Sequence, residues 1–129
     1  MKYSVDKQDK YCVIRLHEEK LDSVLAPQLK SELVTLNAEG IENVILDLSE
    51  VKYTDSSGLS AILVGNRVFN DETGFFILAS VNDHVLKLIR ISQLDSVLNI
   101  AASVEEAIEA VQDAATDNEN GQEDKEPES

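Results

Sequence analysis

The hydroxyls best placed to do chemistry are Ser56 and Ser57, in the run Lys52-Tyr53-Thr54-Asp55-Ser56-Ser57-Gly58-Leu59. A short apolar stretch ends near Leu48, and a helical pattern begins near Gly58. The small polar residues between them sit where the first N–H groups of a helix lack partners. Thr54, Asp55, Ser56 and Ser57 can each accept such a bond, so capping is the plainer reading. The other reading is a modification site. A hydroxyl at a helix mouth is open to solvent, and the helix dipole tolerates a phosphate there. Gly58 has no side chain and would let a partner's backbone approach closely.

Other constellations fall short of chemistry. His17 and His84 stand apart from any Cys or acidic cluster at metal-ligand spacing. The five glycines are scattered and form no phosphate-cradling loop. Asp55-Ser56-Ser57-Gly58 lacks the glycine two positions before the serine that a nucleophile elbow requires. The carboxylate pairs Glu18-Glu19 and Glu105-Glu106 are sequence neighbours expected to be solvated. The single cysteine, Cys12, lies beside Tyr11 and Val13-Ile14 and reads as a buried free thiol. No metal, no cofactor and no enzymatic turnover are expected.

The elements that must position the serines read as follows. Tyr3–Val5 and Tyr11–Leu16 form two strands joined by the polar turn Lys7-Gln8-Asp9-Lys10, a natural hairpin. After Ala26-Pro27, Leu29, Leu33 and Leu36 recur at helical spacing until Gly40. Asn43–Leu48 has the Val44-Ile45-Leu46 centre of a strand covered on both faces. Leu59, Ile62, Leu63, Asn66 and Phe69 share one side of a second helix, which Asp71–Gly74 ends. Phe75–Ala79 is a core strand. Asn82-Asp83 caps a third helix with Val85, Leu88 and Ile89 inward. Val97–Ile100 is a last strand, and Ser103 with Glu106 matches a capping box before a fourth helix. The pattern predicts an α/β domain over residues 1–115, with a mixed sheet of about five strands and about four helices.

Charge narrows the partners. The net charge is −14 over 129 residues. Residues 116–129 hold six acids and one base, contributing −5 and leaving −9 for 1–115. With few apolar residues, 116–129 is expected to be a disordered acidic tail. Nucleic acid is a poor partner, because phosphate contacts need clustered Lys and Arg. Anionic lipid is equally disfavoured. The charged start and the lack of any apolar run near 20 residues predict a cytoplasmic chain with no direct membrane insertion.

The stretch Val44–Leu48, the spacer to Tyr53, and Thr54-Asp55-Ser56-Ser57-Gly58-Leu59 resemble the STAS family, the sulfate-transporter and anti-sigma-factor-antagonist domains. The resemblance runs from about Tyr3 to Val111. It takes in Leu21-Asp22, Ala26-Pro27-Gln28-Leu29 and Phe76–Ala79, and is strongest to the free-standing bacterial antagonists. It implies that Ser56 is phosphorylated by an anti-sigma factor that is also a serine kinase, of histidine-kinase-like ATPase fold. The unmodified form binds that kinase and frees its sigma factor, so transcription is regulated. The phosphorylated form lets go, and a serine phosphatase resets it. Asp22, Ser23, Thr54, Asp55, Ser57 and Gly58 are implied as partner contacts, with Ser57 the rival acceptor. Glu19-Lys20 stands where the family often has Gly-Glu, and Leu25 where a threonine often precedes Ala-Pro. STAS domains also attach to transporters, so a non-catalytic subunit docking on a membrane lipid or anion transport complex is the alternative.

Overall fold

The computed structural model describes residues 1–70 and 74–114. The expected tail, 116–129, and the Asp71–Thr73 part of the second helix's stop lie outside the described residues. So does Ala115, where the domain was expected to end.

Seven strands and four helices are present among the described residues. The strands are β1 (Tyr3–Lys7), β2 (Cys12–Leu16), β3 (Lys20–Leu21), β4 (Val44–Asp47), β5 (Tyr53–Thr54), β6 (Phe76–Ala79) and β7 (Asn99–Ala101). The helices are α1 (Ala26–Ala38), α2 (Ser56–Phe69), α3 (Asp83–Ile91) and α4 over 104–114. The main sheet runs β1-β2-β4-β6-β7. The β1–β2 hairpin is antiparallel and every other pair in this sheet is parallel. The expected mixed five-stranded sheet with four helices is therefore observed.

Alternation along the strands divides the core between the two faces of the sheet. Cys12, Ile14, Leu16, Val44, Leu46, Phe76 and Leu78 point to one face and pack with residues of α1, α2 and α3. Val13, Ile45 and Ile77 point to the other and meet Ala107 and Val111 of α4. That two-sided cover explains why β4 reads as a continuous apolar run. Cys12 is fully buried, and burial pushes its thiol up to about 11, so it stays protonated at neutral pH.

Local signals set the helix ends. Gly40, at φ 94°, follows α1 in the left-handed region where a side chain would be strained. Asn82 caps α3, its Oδ1 accepting from the Val85 amide at 2.9 Å. Its Nδ2 donates to the Val51 carbonyl at 2.8 Å, which ties α3 to the loop before β5. Ser103 accepts from the Glu106 amide at 3.1 Å. The Glu106 carboxylate reaches one residue further back than a capping box predicts, to the Ala102 amide.

Two expectations shift. The last strand is Asn99–Ala101, not Val97–Ile100. The Val97 and Leu98 amides donate to the Leu94 carbonyl, so that stretch is held as a turn. Leu88 is only partly buried, and Val85 and Ile89 form α3's buried stripe.

One buried charge sits at the end of β4. Asp47 accepts from Arg15 Nε at 2.5 Å and from the Ser49 amide at 2.9 Å. Burial alone would raise its pKa, but the bonds from Arg15 and Ser49 outweigh it and hold the carboxyl below the usual aspartate value. A depressed folded pKa stabilises the fold above the unfolded value, about 3.9, and that stability is lost as pH falls through the folded value. Urea unfolding measured from pH 6 down to pH 2 should therefore show a shallower acid loss in Asp47→Asn than in wild type. Equal slopes would mean that Asp47 is not linked to folding.

Candidate functional site

The site begins with a short second sheet. β3 and β5 pair in parallel, with Lys20 opposite Tyr53 and Leu21 opposite Thr54. The Leu21 carbonyl accepts from the Thr54 hydroxyl at 2.9 Å and from the Asp55 amide at 3.4 Å. This clamp lays the Asp22-Ser23 loop beside the start of α2, although the two segments are more than thirty residues apart in sequence.

α2 starts at Ser56, two residues earlier than the position near Gly58 expected from the sequence. Of the four candidate caps, Asp55 makes the bond. Its backbone is extended, and Oδ1 accepts from the Gly58 amide at 3.0 Å. Ser56 and Ser57 are therefore the first two helical residues. Ser56 is exposed and Ser57 partly so. Removing the cap in Asp55→Ala should cost about 1 kcal/mol of stability, read as a lower urea midpoint. An unchanged midpoint would show that the Gly58 amide finds another acceptor.

The expected contacts separate into two groups. Ser23 and Ser56 are exposed, and Asp22, Asp55 and Ser57 are partly so. Thr54 and Gly58 are buried, which corrects their reading as surface contacts. Thr54 is turned inward to bond Leu21. A Cβ built on Gly58 would come within 2.0 Å of Thr54 Oγ1 and 2.3 Å of the Leu21 carbonyl oxygen. The absent side chain makes room for the chain's own backbone rather than a partner's. Asp22 also has structural work. Its Oδ1 accepts from the Val24 amide at 3.0 Å and the Leu25 amide at 3.3 Å. Its carbonyl accepts from the Leu25 and Ala26 amides, turning the chain into α1, whose cap residue Leu25 makes no side-chain cap bond.

The helix starts of α1 and α2 flank an open cleft of about 260 Å³ lined by Ser23, Ala26, Pro27, Lys30, Ser56, Ser57 and Ser60. Lys30 and Ser60 were not singled out from the sequence. Each lies one turn beyond a residue already at the cleft, Ala26 and Ser56, so helical spacing alone carries the signal once α1 and α2 are known to pack together. Exposed apolar surface lies on the segments that flank it, with Val24 71% and Tyr53 44% exposed.

Both histidines have side-chain neighbours. His84 stacks on Tyr53, with ring centroids 6.3 Å apart. His17 lies between Ser4 and Glu50, Nε2 3.1 Å from Ser4 Oγ and Nδ1 2.6 Å from Glu50 Oε2. That order matches a serine–histidine–acid array. His17 and Glu50 are 39% and 51% exposed, however, on the open β1–β2 side of the sheet, where water competes for each bond. Nucleophilic catalysis also needs a dry site with donors aimed at the developing charge.

The STAS domain model matches residues 2–107. BtrV of Bordetella bronchiseptica, which carries the name of an anti-sigma factor antagonist, is 31% identical over 114 residues, 88% of this chain and 97% of its own. A Thermotoga maritima protein crystallised under the same kind of name superposes with a TM-score of 0.75 at 27% identity, covering 85% of this chain and 94% of its own. The phosphorylated form of the Bacillus cell fate determinant SpoIIAA gives a TM-score of 0.65 at 25% identity, covering 85% and 99%. By its sequence, its sheet order and these likenesses together, the chain belongs to the STAS domain family, among relatives of the anti-sigma factor antagonist type.

Proposed function

We propose that this protein is an anti-sigma factor antagonist, a non-catalytic binding module acting in the cytoplasm on an anti-sigma factor that is also a serine kinase. The unmodified surface around Ser56 holds the kinase and keeps it from its sigma factor. Phosphorylation of Ser56 by that kinase releases the complex, and a serine phosphatase restores it. Asp22, Ser23, Asp55 and Ser57 surround the acceptor and complete the contact surface. Thr54 and Gly58 hold it in shape from beneath.

The observation that carries this reading is the position of Ser56. It is exposed on the first turn of α2 while its neighbour Asp55 does the capping, so the Ser56 hydroxyl is spared that task. The likeness to a phosphorylated SpoIIAA, over nearly all of that chain, gives the phosphate its precedent. No described helix is long and apolar enough to cross a membrane, which suits a module that meets a separate partner.

The test is to mix the protein with candidate histidine-kinase-like ATPases and ATP and to weigh the intact protein. One added phosphate is expected, on the peptide that contains Ser56. Ser56→Ala should take up none, and Ser57→Ala should still take up one. Normal uptake by Ser56→Ala would overturn the assignment.

A further inference from the structure

We propose that Lys30 is the chain's own counterpart for the phosphoryl group: a phosphate on Ser56 folds into the cleft between α1 and α2 and pairs with the Lys30 ammonium. This rests on the Ser56 reading above and adds what the modified side chain does next.

Three observations converge. First, Ser56 and Lys30 line the same cavity, and its volume of about 260 Å³ is ample for a phosphoryl group. The remaining polar walls are the hydroxyl-bearing residues Ser23, Ser57 and Ser60, which can donate to phosphate oxygens. Second, Lys30 is in no ion pair among the described residues. The ion pairs among the described residues are Lys7–Glu39, Arg15–Asp47, His17–Glu50 and Lys52–Glu19. Of the seven lysine and arginine residues outside these pairs among the described residues, Lys30 alone is partly buried. Third, neither α1 nor α2 has an acidic residue in its first turn, whereas α3 has Asp83. The carboxylates at the two helix starts are the Asp55 cap of α2 and Asp22 before α1; each is engaged by backbone amides, Asp55 by Gly58 and Asp22 by Val24 and Leu25, and neither lines the cleft.

The paired phosphate would lie along the surface instead of standing out from it. Such a phosphate covers Ser23 and Ser57, the contacts flanking the acceptor, as well as changing the local charge. Lys30 is thus a positioning residue for the modified state, with no part in phosphoryl transfer itself.

The experiment installs phosphoserine at position 56 by genetic encoding, so that no kinase is needed, and follows its phosphorus NMR signal through a pH titration. The second ionisation of a free phosphoserine lies near pH 6. A nearby ammonium favours the dianion and lowers that value. We expect it about 0.5–1 unit lower in the wild-type background than in Lys30→Gln, from one unit charge at contact distance in a largely aqueous cleft. Lys30→Arg should keep the low value. Lys10→Gln, in the turn between β1 and β2, should leave it unchanged and so controls for loss of one positive charge. The difference should narrow in strong salt. Equal titration of the wild-type and Lys30→Gln phosphoproteins would overturn the proposal, and so would an equal shift in Lys10→Gln. A kinase that ignores Ser56 would instead sink the switch reading and leave this titration standing.

Discussion

Gly58→Ala should lower the unfolding free energy by about 1–3 kcal/mol, although it places the best helix former in the first turn of a helix. Helix propensity alone predicts the opposite sign, since alanine is favoured over glycine by about 1 kcal/mol. The added methyl would lie 2.0 Å from Thr54 Oγ1 and 2.3 Å from the Leu21 carbonyl oxygen. The second neighbour is backbone in a paired strand and cannot swing aside. Either α2 moves away, at an overpacking cost of about 1–3 kcal/mol, or Thr54 gives up its buried bond. The second route takes the buried Thr54 hydroxyl from its Leu21 partner, at about 1–3 kcal/mol. Against a typical total of about 5–15 kcal/mol, either is a large loss. Urea unfolding followed by circular dichroism reads it directly. A midpoint equal to wild type or higher would show that the β3–β5 clamp is loose.

The second large effect concerns the partner. Ser56→Asp should weaken binding to the cognate kinase by roughly 3- to 100-fold, and full phosphorylation should weaken it further. A partner carboxylate about 6 Å away opposes one added charge by about 0.7–2.8 kcal/mol as the effective dielectric falls from ~80 to ~20. Phosphate carries about −1.5 to −2 charges, which raises the range to roughly 1–5 kcal/mol. Each ~1.4 kcal/mol is tenfold in affinity. Ser56→Ala, neutral and smaller, should keep wild-type affinity. The measurement is isothermal titration of the three proteins with the kinase. If Ser56→Asp binds as tightly as wild type, local repulsion is not what breaks the complex. The net charge of −14 would not supply the effect, because a change of one or two units matters through its place.

Much of this was legible in the sequence because side chains carried it. The apolar runs of β2, β4 and β6 and the leucine spacing of α1 mark the core directly. Asn82 before α3 and Ser103 before α4 are caps whose chemistry is local. The hairpin follows from its polar turn. The local pattern marked Thr54, Asp55, Ser56 and Ser57 alike as helix-start residues, and the resemblance to the STAS family singled out Ser56 among them.

What escaped was carried by the backbone or by contacts between distant segments. β3 and β5 are two residues each, too short for any periodicity. The Leu21 carbonyl that organises the site has no side-chain signature at all. Gly58 was therefore assigned to a partner's approach, when its missing side chain accommodates Thr54 and Leu21. Leu25 gives no capping signal, and the turn into α1 is made instead by Asp22 three residues earlier. The pairing of Lys30 with the Ser56 cleft requires knowing which helices pack together. The Ser4–His17–Glu50 line requires knowing the β1–β2 register, in which Ser4 lies opposite Arg15.

The small sheet of β3 and β5 has a further consequence for the tempo of the switch. Its bonds set the acceptor loop in its final shape before any encounter, and Asp55 and Asn82 brace it from either side. Docking onto a loop already held by these bonds would forfeit little conformational freedom, where each side chain immobilised on contact would cost about 0.5–1.5 kcal/mol. Association can then run at the pace of diffusion and orientation, with no slow rearrangement to wait for. Under the proposed switch, the lifetime of each complex would be left to the state of one oxygen atom, and the circuit would change partners as fast as that atom is modified.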